Sequence, residues 1–134
     1  MNYLAVVASA VASMVVGSIW YGPLFRKTFM KAMGMDKWSP EKQAEEKKKM
    51  GKLYAIQLVA SLVMFYVLAV FVDKTGSFGV EGGIVTALWT WIGFVIPVQL
   101  GNAIWGGNMT LFWLGAGNML ITLLTAGAII GAWS

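Results

Sequence analysis

Apolar positions run almost unbroken through four stretches of the chain: about Leu4 to Phe25, Leu53 to Val72, Ile84 to Ile104 and Met109 to Trp133. A membrane-crossing helix needs about 20 mostly apolar residues, and each stretch supplies them. None alternates with a sustained period of two, and an open sheet cannot satisfy its backbone in lipid. The pattern predicts an all-α integral membrane four-helix bundle, with residues 1–134 forming a single membrane domain and residues 26–52 a long polar loop.

The end of the first run carries its own signals. Trp20 and Tyr21 sit where the span meets the headgroups, a level that amphipathic rings favour. Gly22-Pro23 then turns the chain off the span axis, because Pro lacks an N–H and suits the start of a new helix. Beyond it, Phe25, Phe29, Ala32 and Met33 share one helical face. Lys27 and Lys31 lie opposite, Arg26 lies on the flank, and Gly34 is placed as a C-cap. This spacing predicts a short interfacial amphipathic helix resting on the bilayer, an anchor made of Trp20, Tyr21, Pro23, Phe25, Arg26, Lys27 and Lys31. Next, Ser39-Pro40 reads as an N-cap and first helical residue. Glu45 and Lys49 form a favourable pair, and the helix is expected to run on through Gly51 into the second span.

Within the spans the informative residues are small or polar. Ala5, Ser9, Ser13 and Gly17 recur at every fourth position of the first span, and Gly127 and Gly131 repeat that spacing in the fourth. Such stripes let helix backbones approach closely, within a bundle or between subunits. Gln57, Gln99 and Asn118 place amides at depth, beside the hydroxyls of Ser61, Thr86, Thr90, Thr122 and Thr125, and these groups read as interhelical glue. The alternative is a polar path for a small neutral solute lined by Gln57, Gln99, Asn118 and Asn102, the last lying towards the cytoplasmic side. Pro97 removes the hydrogen bond to the Gly93 carbonyl and predicts a kink in the third span. A faint repeat links Ile19-Trp20-Tyr21-Gly22-Pro23 with Ile104-Trp105-Gly106-Gly107-Asn108.

Composition narrows the chemistry. Charged residues make up 12% of the chain, half of what a soluble domain carries, so a water-facing coat cannot be built. Cys and His are both absent, which removes thiolate nucleophiles, zinc sites and the commonest general base; no cofactor or metal is expected, and an enzyme ranks last. No Asp, Glu, Lys or Arg falls in the middle of a span, which disfavours proton relays. Nine of the ten Lys and Arg lie between Arg26 and Lys52, so the positive-inside rule makes this loop cytoplasmic and puts both termini outside, in a cell inner or plasma membrane. Glu residues interleave with the basic run beside a span, which favours anionic lipid over nucleic acid as its partner. Ala8-Ser9-Ala10 imitates a signal-peptidase site, but Met1-Asn2-Tyr3 lacks a positive n-region, so the first span reads as retained.

The segments "WYGPLF", followed by the basic amphipathic stretch, and "WIGFVIPVQLGNAIW" resemble the family filed as domain of unknown function 1761, as does the plan of four spans with a long first loop. The resemblance implies a small integral membrane protein and carries no catalytic or ligand residues. The function expected is a structural or accessory membrane subunit, a homo-oligomer or part of a larger complex. The alternative is a channel or facilitator for a small uncharged solute.

Overall fold

Ser39 starts the longest element of the computed structural model, which describes residues 3–133. Its hydroxyl accepts from the Lys42 N–H at 3.2 Å and Pro40 takes the first helical position, so helix α3 runs unbroken over Pro40–Thr75. Gly51 does not interrupt it. Gly76, at φ +67°, ends it: the Ser77 N–H reaches back to the Val72 carbonyl at 3.0 Å, a left-handed closure that favours glycine. Within α3 the ion pair is Glu46 with Lys49 at 3.8 Å, spaced one residue closer than the expected Glu45–Lys49 pair.

The remaining helices are α1 (Tyr3–Ile19), α2 (Arg26–Ala32), α4 (Gly79–Thr90), α5 (Ile96–Gly106) and α6 (Met109–Ala132). No strand occurs among the described residues. Four continuous helical stretches are long and apolar enough to cross a membrane: Tyr3–Leu24, Pro40–Thr75, Gly79–Gly106 and Met109–Ala132. The third begins earlier than its hydropathy suggests. Glu81 therefore lies in the first turn of α4 rather than in a loop, where a carboxylate suits the positive end of the helix dipole.

Two of these stretches change pitch. Trp20–Leu24 and Trp91–Val95 are π-helical turns. Each closes on the carbonyl of its leading tryptophan, from the Phe25 N–H in the first and the Ile96 N–H in the second. Gly22-Pro23 is thus not the corner. The chain continues helically through it and breaks at Phe25, with φ −127° and ψ 19°. The wider turn accommodates a proline that cannot donate a helix bond. In the third span the interruption expected at Pro97 takes the same form, the π turn lying just before it.

The last helix is the hub. Nine of the 24 residues of α6 are buried, more than in any other helix, and every other helix packs on it. The main core joins Ala5, Val6 and Ala10 of α1, Phe65, Leu68, Ala69 and Val72 of α3, Ala87 of α4, and Leu123, Ala126 and Ile130 of α6. Lipid tails are as apolar as these side chains, so cohesion depends on close packing rather than on expulsion of water. Between α4 and α6 it is at its closest: Gly79 and Gly83 lie against Gly127 and Gly131, backbone on backbone. The Gly127/Gly131 pair therefore serves packing inside the bundle.

Of the first-span stripe, Ala5 and Ser9 are buried against the core, while Ser13 and Gly17 are only partly covered and no atom lies within 4 Å of where a Gly17 Cβ would stand. The reason lies in α3. Tyr3 stacks on Tyr66 at 6.4 Å between ring centroids, and Ser61, Phe65, Leu68 and Val72 are buried, but from Lys47 to Ala60 every residue is exposed. Half of α3 stands clear of the bundle.

Candidate functional site

The polar contacts between helices converge on one segment of α6, Leu114-Gly115-Ala116-Gly117-Asn118. Small residues there leave room for large side chains to reach the main chain. Trp20 donates its indole N–H to the Leu114 carbonyl at 3.0 Å, and its ring lies over Gly117, where a Cβ would come within 2.8 Å of it. Trp91 donates to the Ala116 carbonyl at 2.9 Å. Buried indoles need such an acceptor, and a helix carbonyl has a second lone pair to give. Gln99 covers Gly115, with its carbonyl oxygen 2.8 Å from where a Cβ would sit.

Each tryptophan thus joins two bonds. Its carbonyl closes a π turn and its N–H fastens that turn to α6. Both turns read Trp-x-Gly, at Trp20–Gly22 and Trp91–Gly93. The structural repeat is therefore between these two segments, rather than between residues 19–23 and 104–108. Trp91 also packs against both the main core and a smaller cluster of Ala103, Phe112 and Ala116 near the turn before α6.

On the same face of α6 as Gly115, at i+3 and i+7, stand Asn118 and Thr122. Thr122 is 4% exposed, and neither its hydroxyl nor the Asn118 side-chain carbonyl has a hydrogen-bond partner. Thr122 breaks the local custom. Ser9, Ser13, Thr86, Thr90 and Thr125 all bond back to carbonyls of their own helices. Those hydroxyls are therefore not the interhelical glue that their depth suggests.

The amides named from the sequence separate into two groups. Gln99 and Asn118 both come to the α6 segment. Gln57 is exposed on the free half of α3, with its amide nitrogen 3.4 Å from the Ser61 hydroxyl one turn along, and Asn102 is exposed on α5. Asn108, outside that set, has two tasks: its carbonyl accepts from the Leu111 N–H at 3.1 Å, capping α6, and its NH2 group donates to the Ala32 carbonyl at 2.9 Å. This ties the end of α2 to the turn before α6, so the basic first loop and the third loop share one end of the bundle.

Around α2, Tyr21 packs on Phe29 at 4.7 Å and Trp20 on Phe25 at 4.7 Å. Phe25, Phe29, Met30 and Ala32 are half-buried, whereas Arg26, Lys27 and Lys31 are exposed. Met33, expected on the apolar face, is 46% exposed, because the helix ends at Ala32 and Gly34 turns the chain at φ +74°.

No curated protein and no solved structure matches the chain. A family does, over residues 4–131, so both tryptophan turns and the α6 segment that receives them fall inside the match. The chain belongs to the family described as protein of unknown function (DUF1761).

Proposed function

We propose that this protein is an accessory membrane subunit that assembles with copies of itself through the free half of α3 and the open end of the α1 stripe. The observation that carries the proposal is the bare stretch Lys47 to Ala60, in which no face of the helix is covered and an amide, Gln57, sits at membrane depth. An amide facing hydrocarbon is unfavourable, and a neighbouring helix offers it a partner. Gln57 lies about as far along α3 from Tyr66 as Ser13 lies along α1 from Tyr3, so the antiparallel pair brings both to one level. A helix from a second copy can enter there, where Ser13 and Gly17 allow close approach.

The basic end is the cytoplasmic one in this proposal. Arg26, Lys27 and Lys31 then face anionic headgroups, each worth about 1 kcal/mol, with α2 lying on the inner leaflet. The absence of cysteine makes the test clean. With Gly17→Cys or Gln57→Cys, a bis-maleimide should yield dimers in native membranes, and the exposed Val98→Cys should not. Monomers at all three positions, or adducts only with a different protein, would overturn self-assembly.

A second function, a facilitator for a small uncharged solute, draws on the unpartnered Asn118 and Thr122 beside Gln99. Thr122→Val separates the two. Removing an orphan hydroxyl from a buried site should stabilise the bundle by about 1 kcal/mol or more and leave liposome fluxes unchanged. A loss of flux for any neutral solute would favour the facilitator.

A further inference from the structure

Between α3, the second π turn and α6 lies a cavity of about 390 Å³. Its floor is made by Leu68 and Leu123, which are 3% and 2% exposed. Its rim is made by Val67, Phe71 and Phe94, which are exposed, so it opens sideways from the bundle. Thr90 is the one polar residue in the wall, and its hydroxyl is taken by the Ala87 carbonyl at 2.8 Å. The π turn shapes the site, since Phe94 and Val95 both belong to it.

We infer that this cavity holds one acyl chain of a membrane phospholipid. Three observations select that occupant. The wall presents no free donor, and the Thr90 hydroxyl oxygen is its one side-chain acceptor, so a polar solute or water gains little there, and apolar cavities of this kind stay dry. The volume lies in the range of small-molecule sites. The lining also falls inside the second, third and fourth membrane-crossing stretches, with Thr90 near the middle of the third, so what stands at the mouth is lipid hydrocarbon.

The test uses the full chain in vesicles of phosphatidylcholine doped with an analogue carrying a diazirine midway along one acyl chain. After illumination, adducts should concentrate on residues 64–71 and 90–95. We expect about fivefold more there than on the equally exposed Val7, Val11 and Val15 of α1, a preference of ~1 kcal/mol over bulk lipid. Thr90→Phe and Val67→Trp narrow the cavity from opposite walls. Each should remove most of the excess while leaving α1 labelling unchanged, and if one of them loses its helical circular dichroism, the other decides. Labelling of the cavity no higher than that of α1, or an excess that survives the narrowing variant that folds, would overturn the assignment. Neither result depends on the oligomeric state, which the cysteine crosslinks report separately.

Discussion

Gly83→Ala should lower the stability of the bundle by about 3 kcal/mol or more, at the upper end of what a single added methyl does to a packed core. The added Cβ would overlap the Gly127 carbonyl and come within 3.1 Å of the Gly131 Cα. Both obstacles are backbone, so no rotamer change relieves the clash; α4 and α6 must separate. The reciprocal changes meet the same wall. A Cβ on Gly127 would strike the Gly83 carbonyl and approach the Ala87 Cβ to 2.8 Å, and one on Gly131 would strike the Gly79 carbonyl. Intrinsic helix propensity acts in the opposite direction, favouring alanine over glycine by about 1 kcal/mol. Gly101→Ala and Gly106→Ala supply the control, because both are helical and nothing lies within 4 Å of either new methyl. Unfolding followed by tryptophan fluorescence in mixed micelles should show an early midpoint for Gly83→Ala and an unchanged or later one for the two controls. Equal midpoints for all three would remove the close approach as the main cohesive contact.

Trp91→Ala should be at least as damaging, at about 3–5 kcal/mol, the usual range for truncating a large aromatic in a core. Three losses coincide: the ring that bridges the two apolar clusters, the bond to the Ala116 carbonyl, and the fastening of the second π turn. Trp91→Phe separates them, because it keeps most of the ring and deletes the N–H. It should cost only about 1 kcal/mol, since the Ala116 carbonyl keeps its helix partner and interhelical bonds in lipid are individually modest. Trp20→Ala and Trp20→Phe should follow the same order with smaller values, because Trp20 touches α6 but lies outside the main cluster. A Trp91→Phe variant as unstable as Trp91→Ala would mean that the hydrogen bond, rather than the packing, holds the turn.

The sequence pattern revealed the elements better than their partners. Hydropathy located the four crossing stretches, and local chemistry placed Ser39-Pro40 and Gly34, because capping is decided by neighbours along the chain. Register between distant helices has no such local mark. Gly127 and Gly131 were legible as a packing stripe, but their counterparts Gly79 and Gly83 sit in "GVEGGI", which reads as a loop until α4 is seen to start at Gly79. Pro23 signalled a break, yet a π turn absorbed it and moved the corner to Phe25. Hydroxyls at depth suggested contacts between helices, but their own backbones lie closer and take them first. Trp91 was missed as a site residue. The signal was present in the second Trp-x-Gly, although nothing in one sequence says that two such triplets bend the chain alike.

The central position of α6 has a consequence for biosynthesis. Trp20 and its acceptor Leu114 are 94 residues apart. At about 5–20 residues per second, roughly 5–20 s separate their emergence from the ribosome. During that interval α3 and then α4 follow α1 out of the ribosome, while the helix that each of them packs against is still incomplete. The glycine face of α4 and the indole of Trp20 must wait uncovered, sheltered only by lipid or by the insertion machinery. Closure of the bundle therefore waits for α6, 94 residues of synthesis after Trp20.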